Sequence, residues 1–333
     1  DKGNTNFHVE ITADLLTGEE LDFMAGLRPG LIQLEIGVQS TNPETIKEIR
    51  RKVSFERLKE IVQRIHAGKN IHQHLDLIAG LPFEGLERFK QSFNDVYGLK
   101  PEQFQLGFLK VLKGSYMREK AADYDLIYQP EPPYEVLSTR WLSYDDILVL
   151  KGVEEMVEVY YNSRQFENSL DWLEGYFPSA FAMYETLAGY YEAKGLNGIS
   201  HSRMTRYEIL LDFVKEILNI EETRVFTQIL TYDLYLRENV KSRPAWAASQ
   251  EPFKAAYVEF FKNEENREKY FSGYEGYTTK QIQRMTHIEH FTEDIRATAA
   301  DEERGGGDVF IWFDYLNRDP LTYKSRTVEV KLW

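Results

Sequence analysis

The sequence predicts an α/β fold in which parallel strands come first, a mainly α-helical region follows and a β-hairpin ends the chain. Three observations carry this. Residues 31 to 82 read LIQLEIGVQSTNPETIKEIRRKVSFERLKEIVQRIHAGKNIHQHLDLIAGLP: an apolar run (31 to 39), a turn, two helical segments (about 43 to 67) and a second apolar run (71 to 81). A connection of that length returns the second strand parallel to the first. The strand-helix rhythm extends to FHVEIT (7 to 12) before this unit and FQLGFLKVL (104 to 112) after it, which implies a parallel sheet with right-handed crossovers. From about Tyr144 onward, helical spacing takes over.

Taken in order, FHVEIT alternates like a strand, Asp14 to Met24 reads as a short helix, and Arg28-Pro29-Gly30 is a turn. After Pro82 a helix runs from about Leu86 to Tyr97, with Phe89, Phe93 and Val96 at helical spacing, and Lys100-Pro101 breaks it. Four strands make an open sheet, whereas closing a barrel takes roughly eight. YQPEPPYEVLS then reads as an extended linker, and residues 144 to 304 as a helical domain. Arg304 to Asp308 is glycine-rich and is expected to be flexible. VFIWFDY (309 to 315) and RTVEVKLW (326 to 333) read as a terminal hairpin. The expected division is therefore 1–127, 128–143, 144–304 and 305–333.

Composition narrows the function classes. A formal charge of −14 argues against a general nucleic-acid binder, which needs a basic face, although a local basic patch remains compatible with it. No apolar run approaches the ~20 residues that span a bilayer. The opening DKGNTNF has no charged-then-apolar leader, so a cytoplasmic location is expected. With zero cysteines there are no disulfides, thiolate metal sites or cysteine nucleophiles in this chain.

Ligands of sheets built from such units sit at the carboxyl ends of the strands. Gln39 and Ser40 close one strand, Arg51 is expected on the helix that follows it, and Asp76 interrupts the next apolar run. Glu35, Gly37 and Gln39 share one face, as do His72, His74, Asp76 and Ile78 of the neighbouring strand. A polar row inside a parallel sheet is costly unless paired or wet, so it reads either as a hydrogen-bonded barrel core or as the lining of a binding site.

GVQS at a strand end, Asn42-Pro43-Glu44 opening a helix, an arginine twelve residues after the glutamine, and DLIAGLP on the next strand together resemble the second half of the radical S-adenosylmethionine (radical SAM) barrel. The likeness covers about residues 5 to 120. It is closest to the branch with the oxygen-independent coproporphyrinogen oxidases and the cobalamin-dependent, magnesium-protoporphyrin-ester-cyclase-like iron-sulfur oxidoreductases. WLSYDD (141 to 146) and FDYLNRDPLT (313 to 322) resemble the extension after the barrel in some cobalamin-linked members.

The resemblance implies a partial, open TIM-like barrel and a parent enzyme that reductively cleaves S-adenosylmethionine to start radical chemistry on a small-molecule substrate, with a tetrapyrrole-like one among the candidates. It implies cofactor-binding roles for four residues. Glu10 would lie near the methionine end, Gln39 and Arg51 would face ribose and carboxylate, and Asp76 would bond the ribose or position substrate. Arginine and carboxylate suit the two charges of an amino acid. The family's three-cysteine loop, which holds a [4Fe-4S] cluster, has no counterpart here. The resemblance therefore implies that the cluster ligands and a cobalamin domain lie in missing N-terminal parts of the same polypeptide, and that this chain alone is inactive. No catalytic residue is assigned. Strand 7 to 12 would be an edge, a template for a homodimer or for cover by the chain's own tail.

Two other readings compete. His72-x-His74 on one strand face resembles the metal pair of amidohydrolase barrels, although it lies at the start of its strand. The aromatic-rich second half could be a helical protein-interaction module, visible as an apolar patch. His287-x-x-His290 has helical spacing and reads as a solvated helix face.

Overall fold

The fold is described from a computed structural model for residues 2–52, 54–293, 295 and 306–333. Its first part is the α/β sheet that the sequence predicts. Strands β1 (Phe7–Ile11), β2 (Ile32–Gln39), β3 (His72–Ala79) and β4 (Gln103–Phe108) lie in the order β1-β2-β3-β4. All three neighbouring pairs are parallel. Between β1 and β2 runs α1 (Gly18–Ala25), begun by a reciprocal capping box between Thr17 and Glu20. Between β2 and β3 run α2 (Pro43–Glu48) and α3 (Phe55–Ala67), and α4 (Leu86–Tyr97) leads to β4.

The sheet's two faces differ because side chains alternate along a strand. Leu34, Ile36, Leu75, Leu77, Ala79 and Phe104 are at most 1% exposed on one face. Burying the leucine, isoleucine and phenylalanine side chains among them contributes roughly 1.5–3 kcal/mol each. The opposite face carries His8, Glu10, Glu35, His74, Asp76 and Gln105, half-buried or exposed apart from His74. The polar row is therefore a lining and not a packed core.

After β4 come α5 (Tyr116–Glu119), β5 (Ile127–Tyr128) and β6 (Val136–Ser138). The proline-rich stretch is not a free linker. Its ends pair antiparallel as β5–β6, and it docks on the chain leaving β4 through Val136 N–H to Leu109 O (2.9 Å) and Val111 N–H to Tyr134 O (2.9 Å). A proline-rich run keeps enough free N–H groups between its prolines to do this. Gly80, just after β3, sits under it with φ +92°, and a Cβ there would meet Val136 Cγ1 at 2.7 Å. Gly80→Ala should therefore lose about 3 kcal/mol, from left-handed strain plus overpacking. The measurement is the midpoint of chemical denaturation, and an unchanged midpoint would contradict the account.

Helix α6 (Tyr144–Met156) continues as a π-helical turn over Val157–Asn162. Extra width there aims Asn162 at the edge strand β4, where its amide accepts from Phe104 N–H and donates to Phe104 O, both at 2.9 Å. One side chain thus covers a free strand edge. The chain divides into residues 1–163 with 177–197, and residues 164–176 with 198–333. This differs from the boundaries read from sequence, because α6 and α8 (Ala180–Ala193) belong with the sheet unit, where Phe181 packs on Phe93.

The second unit contains α7 (Glu167–Glu174), α9 (Arg203–Ile217), α10 (Ile220–Arg237), α11 (Lys254–Lys262), α12 (Glu264–Tyr270) and α13 (Thr279–Met285). It ends in strands β7 (Thr286–Glu293), β8 (Gly306–Arg318) and β9 (Ser325–Val330), antiparallel in the order β7-β8-β9. The terminal hairpin is present as β8–β9 and gains a third strand from a stretch assigned to the helical domain. His287 and His290 are therefore strand residues, bonded to Glu289 and Asp308. Of the glycine-rich stretch, Arg304 and Gly305 lie outside the described residues, and Gly306 to Asp308 open β8. The strands offered by the tail, β8 and β9, pair with one another and with β7. Phe260, Phe271, Tyr274 and Trp312 centre an aromatic core here. No helix among the described residues is long and apolar enough to cross a membrane.

Candidate functional site

The carboxyl end of β2 is where the ladder breaks. Gly37 pairs with Asp76, but Gln39 pairs with Leu77, so one residue is extra and Gln39 takes φ 68°. Such a bulge re-aims side chains at a strand end. Val38 N–H turns to Asp76 Oδ1 (2.9 Å), and Gln39 Nε2 donates to Asp76 Oδ2 (3.3 Å).

Arg51 reaches the same place by a helix ending and not from a helix. Helix α2 starts with Asn42 as N-cap and Pro43 in its first turn. It stops in a Schellman pattern, Arg50 N–H to Lys47 O and Arg51 N–H to Ile46 O (both 3.0 Å), with Arg50 in the left-handed region at φ 60°. This reversal brings Arg51 back over the sheet, where it donates to Gly37 O. The expectation that Arg51 is helical is corrected accordingly. Gly37 is the hinge of the arrangement, since a Cβ there would meet Gln39 Nε2 at 2.5 Å and Arg51 Nη2 at 3.2 Å.

Gln39, Arg51 and Asp76 therefore converge. Glu10 does not join them: it is exposed on edge strand β1, in register with Glu35, two residues short of Gly37. That offset is ~6.6 Å along the strand. Among the described residues Glu10 shares no hydrogen bond or ion pair with the other three.

Burial pushes the Asp76 carboxyl above its usual range, while the Val38 N–H and the Arg51 charge pull it back. A group in that balance can take a further donor from a ligand. The loops around it are tied together: Asn42 Nδ2 donates to Phe83 O (2.8 Å) and Thr45 Oγ1 to Pro82 O (2.7 Å). Ser40 and Ser92 both donate to Glu84, whose carboxyl burial also raises.

Beside Arg51 opens a cleft of ≈ 930 Å³, lined among others by Lys47, Arg50, Lys52, Lys59 and Arg88 and by the acids Glu56 and Asp95. This local basic surface stands out in a chain of charge −14. The run KEIRRK carries most of it in sequence, but only the turn at Arg50 shows which cations face one space.

Towards the amino ends of the strands a second group gathers on the same face. His8, Glu35 and His74 each place a ligand atom within 4.8 Å of the others. His8 Nε2 is 3.1 Å from Glu35 Oε2. His72, the other half of the sequence pair, is not in this group.

Comparison with known proteins matches two separate stretches of the chain. Residues 122–313 match the family model described as "Protein of unknown function (DUF4080)", and residues 1–96 match that of the radical SAM superfamily. An oxygen-independent coproporphyrinogen III oxidase from Paracoccus denitrificans (strain Pd 1222) is 32% identical over 100 residues, 30% of this chain and 22% of that protein. The chain thus spans about a fifth of the length of this curated relative. Coproporphyrinogen III oxidase from Escherichia coli, a radical SAM enzyme, shares 16% identity over 49% of this chain and 38% of that one, with a TM-score of 0.36. A radical S-adenosylmethionine methyltransferase from Kitasatospora setae, solved with cobalamin and a [4Fe-4S] cluster bound, shares 15% over 41% and 27%, with a TM-score of 0.31.

Proposed function

Since this chain belongs to the DUF4080 family of proteins of unknown function and, through residues 1–96, to the radical SAM superfamily, we propose that it binds and orients S-adenosylmethionine within a larger radical SAM oxidoreductase. The observation that carries this reading is the convergence of Gln39, Arg51 and Asp76 around Gly37 at the strands' carboxyl ends. Arg51 spends one donor on Gly37 O, and the rest of its planar fork suits a carboxylate. Asp76, raised by burial, accepts from a ribose hydroxyl. Glu10 has room on the exposed edge for an ammonium group, though apart from the other three.

A [4Fe-4S] cluster does not fit this chain, which has zero cysteine thiolates to hold it. Its ligands, and any cobalamin site, belong to other parts of the parent protein. Cobalamin dependence is supported only by the tail's resemblance to cobalamin-linked members. The substrate is a small molecule, and the basic cleft beside Arg51 favours one that carries carboxylates.

The test is S-adenosylmethionine binding measured calorimetrically on this chain. Arg51→Ala should weaken it about tenfold, which is ~1.4 kcal/mol and typical of one lost charged hydrogen bond. Arg51→Lys should not restore it, since an ammonium lacks the fork. No binding by the unaltered chain, or equal binding by Arg51→Ala, would overturn the reading.

A further inference from the structure

We propose that His8, Glu35 and His74 form a binding site for one divalent transition-metal ion, with zinc as its probe. The site lies on the polar face of the sheet, nearer the strands' amino ends than Gly37 and Asp76, and takes one donor from each of three adjacent strands.

Two independent observations point to a cation. The first is the donor set itself: two imidazoles and a carboxylate with ligand atoms within 4.8 Å of one another. Around a tetrahedral zinc, ligand atoms stand about 3.3 Å apart, so small side-chain rotations close the site. His8 Nε2 and Glu35 Oε2 are already at 3.1 Å. The second is the state of His74, which is only 6% exposed and whose Nε2 is buried without a hydrogen-bond partner. Leaving such an atom unsatisfied is costly, and a metal ion is the partner that its lone pair, or its ring once reoriented, can take.

The competing account is a surface pair between His8 and Glu35 beside a poorly satisfied histidine. An exposed pair of that kind contributes little and does not explain the orphaned nitrogen of His74. Two nitrogens and one oxygen suit zinc or ferrous iron, not calcium or magnesium, whose ligands are oxygens. Three protein ligands leave a coordination position open to water or to a further donor. Glu10, the register partner of Glu35, is the nearest acidic residue along the row. A bound ion would tie the exposed strand β1 to β2 and β3.

The experiment begins with protein stripped by chelator, dialysed, and titrated with zinc by calorimetry and with cobalt(II) by visible absorption. One ion per chain is expected, with ligand-field bands of nitrogen and oxygen ligation and a rise in melting temperature. His74→Ala should weaken binding at least a hundredfold. His8→Ala, at an exposed position that does not threaten folding, should do the same and abolish the thermal rise. A His287→Ala/His290→Ala variant, which removes the two histidines of β7, should still bind one ion. Absence of a stoichiometric ion, survival of binding in both His8→Ala and His74→Ala, or loss in the control variant would overturn the proposal.

Discussion

Asp233→Ala should destabilise the second unit by about 4 kcal/mol, because it removes the cap of a helix to which Asp233 does not belong. Helix α7 begins after Phe166, whose side chain cannot accept a hydrogen bond. Its second and third positions, Asn168 and Ser169, turn their N–H groups to Asp233 of α10, at 3.2 and 2.8 Å. Asn168 Nδ2 and Ser169 Oγ add two more bonds, at 2.6 and 2.7 Å. Alanine would orphan all four donors in a place that is 2% exposed. Asp233→Asn keeps the shape and one accepting oxygen, and should lose less.

The pH dependence of this site has a definite sign. Burial pushes the Asp233 carboxyl up to about 6 despite four donated bonds. A raised folded-state value means that its stabilising contribution is complete below the unfolded value near 4 and is lost as pH rises through about 6. From pH 7 to pH 4 the wild type should therefore gain about 2 kcal/mol relative to Asp233→Asn. Denaturant melts of both proteins at those two pH values check this, and a pH-independent difference would refute it.

Such a cap is invisible to a reading of local pattern, since the acceptor stands 64 residues from the Ser169 donor it serves. What was legible is what repeats locally. The apolar runs at 31 to 39 and 71 to 81 became β2 and β3, pairing parallel as their connection requires, and Asn42-Pro43 did open a helix. The strand β7 was missed because His287 and His290 fit a helical period. The competing signals were the capping box at Thr278–Gln281, which starts a short helix, and the alternation of Ile288, His290 and Thr292 after it. The proline-rich stretch was read from its prolines alone, whereas its behaviour is set by the N–H groups between them.

The same division holds for the candidate site. Gln39 and Asp76 were legible because polar residues at the ends of apolar strands have few structural reasons to be there. Arg51 stood out by following the strand end, but its position depends on Arg50 adopting a left-handed conformation that glycine or asparagine would have advertised. Glu10 fell away because the register of β1 against β2 cannot be read from alternation, which fixes the face of a residue and not its height. His8 joins Glu35 and His74 for the same reason.

Gly37→Ala should separate binding from stability. An added Cβ would fall 2.5 Å from Gln39 Nε2 and 3.2 Å from Arg51 Nη2, both the far ends of long side chains. They can swing away, so the fold should lose under about 1 kcal/mol. Swinging away, however, takes Gln39 off Asp76 and Arg51 off the Gly37 carbonyl together. Two charged or charge-assisted bonds to a ligand would go at once, a loss of about 3 kcal/mol or roughly 150-fold in affinity for S-adenosylmethionine. Gly80→Ala provides the contrast, because its Cβ meets Val136, a buried residue of the docked proline-rich stretch, and the strain falls on the fold. Denaturant melts and calorimetric titrations on both variants should therefore give opposite patterns. A Gly37→Ala protein that binds S-adenosylmethionine as well as wild type would show that Gln39, Arg51 and Asp76 hold one another and not a ligand.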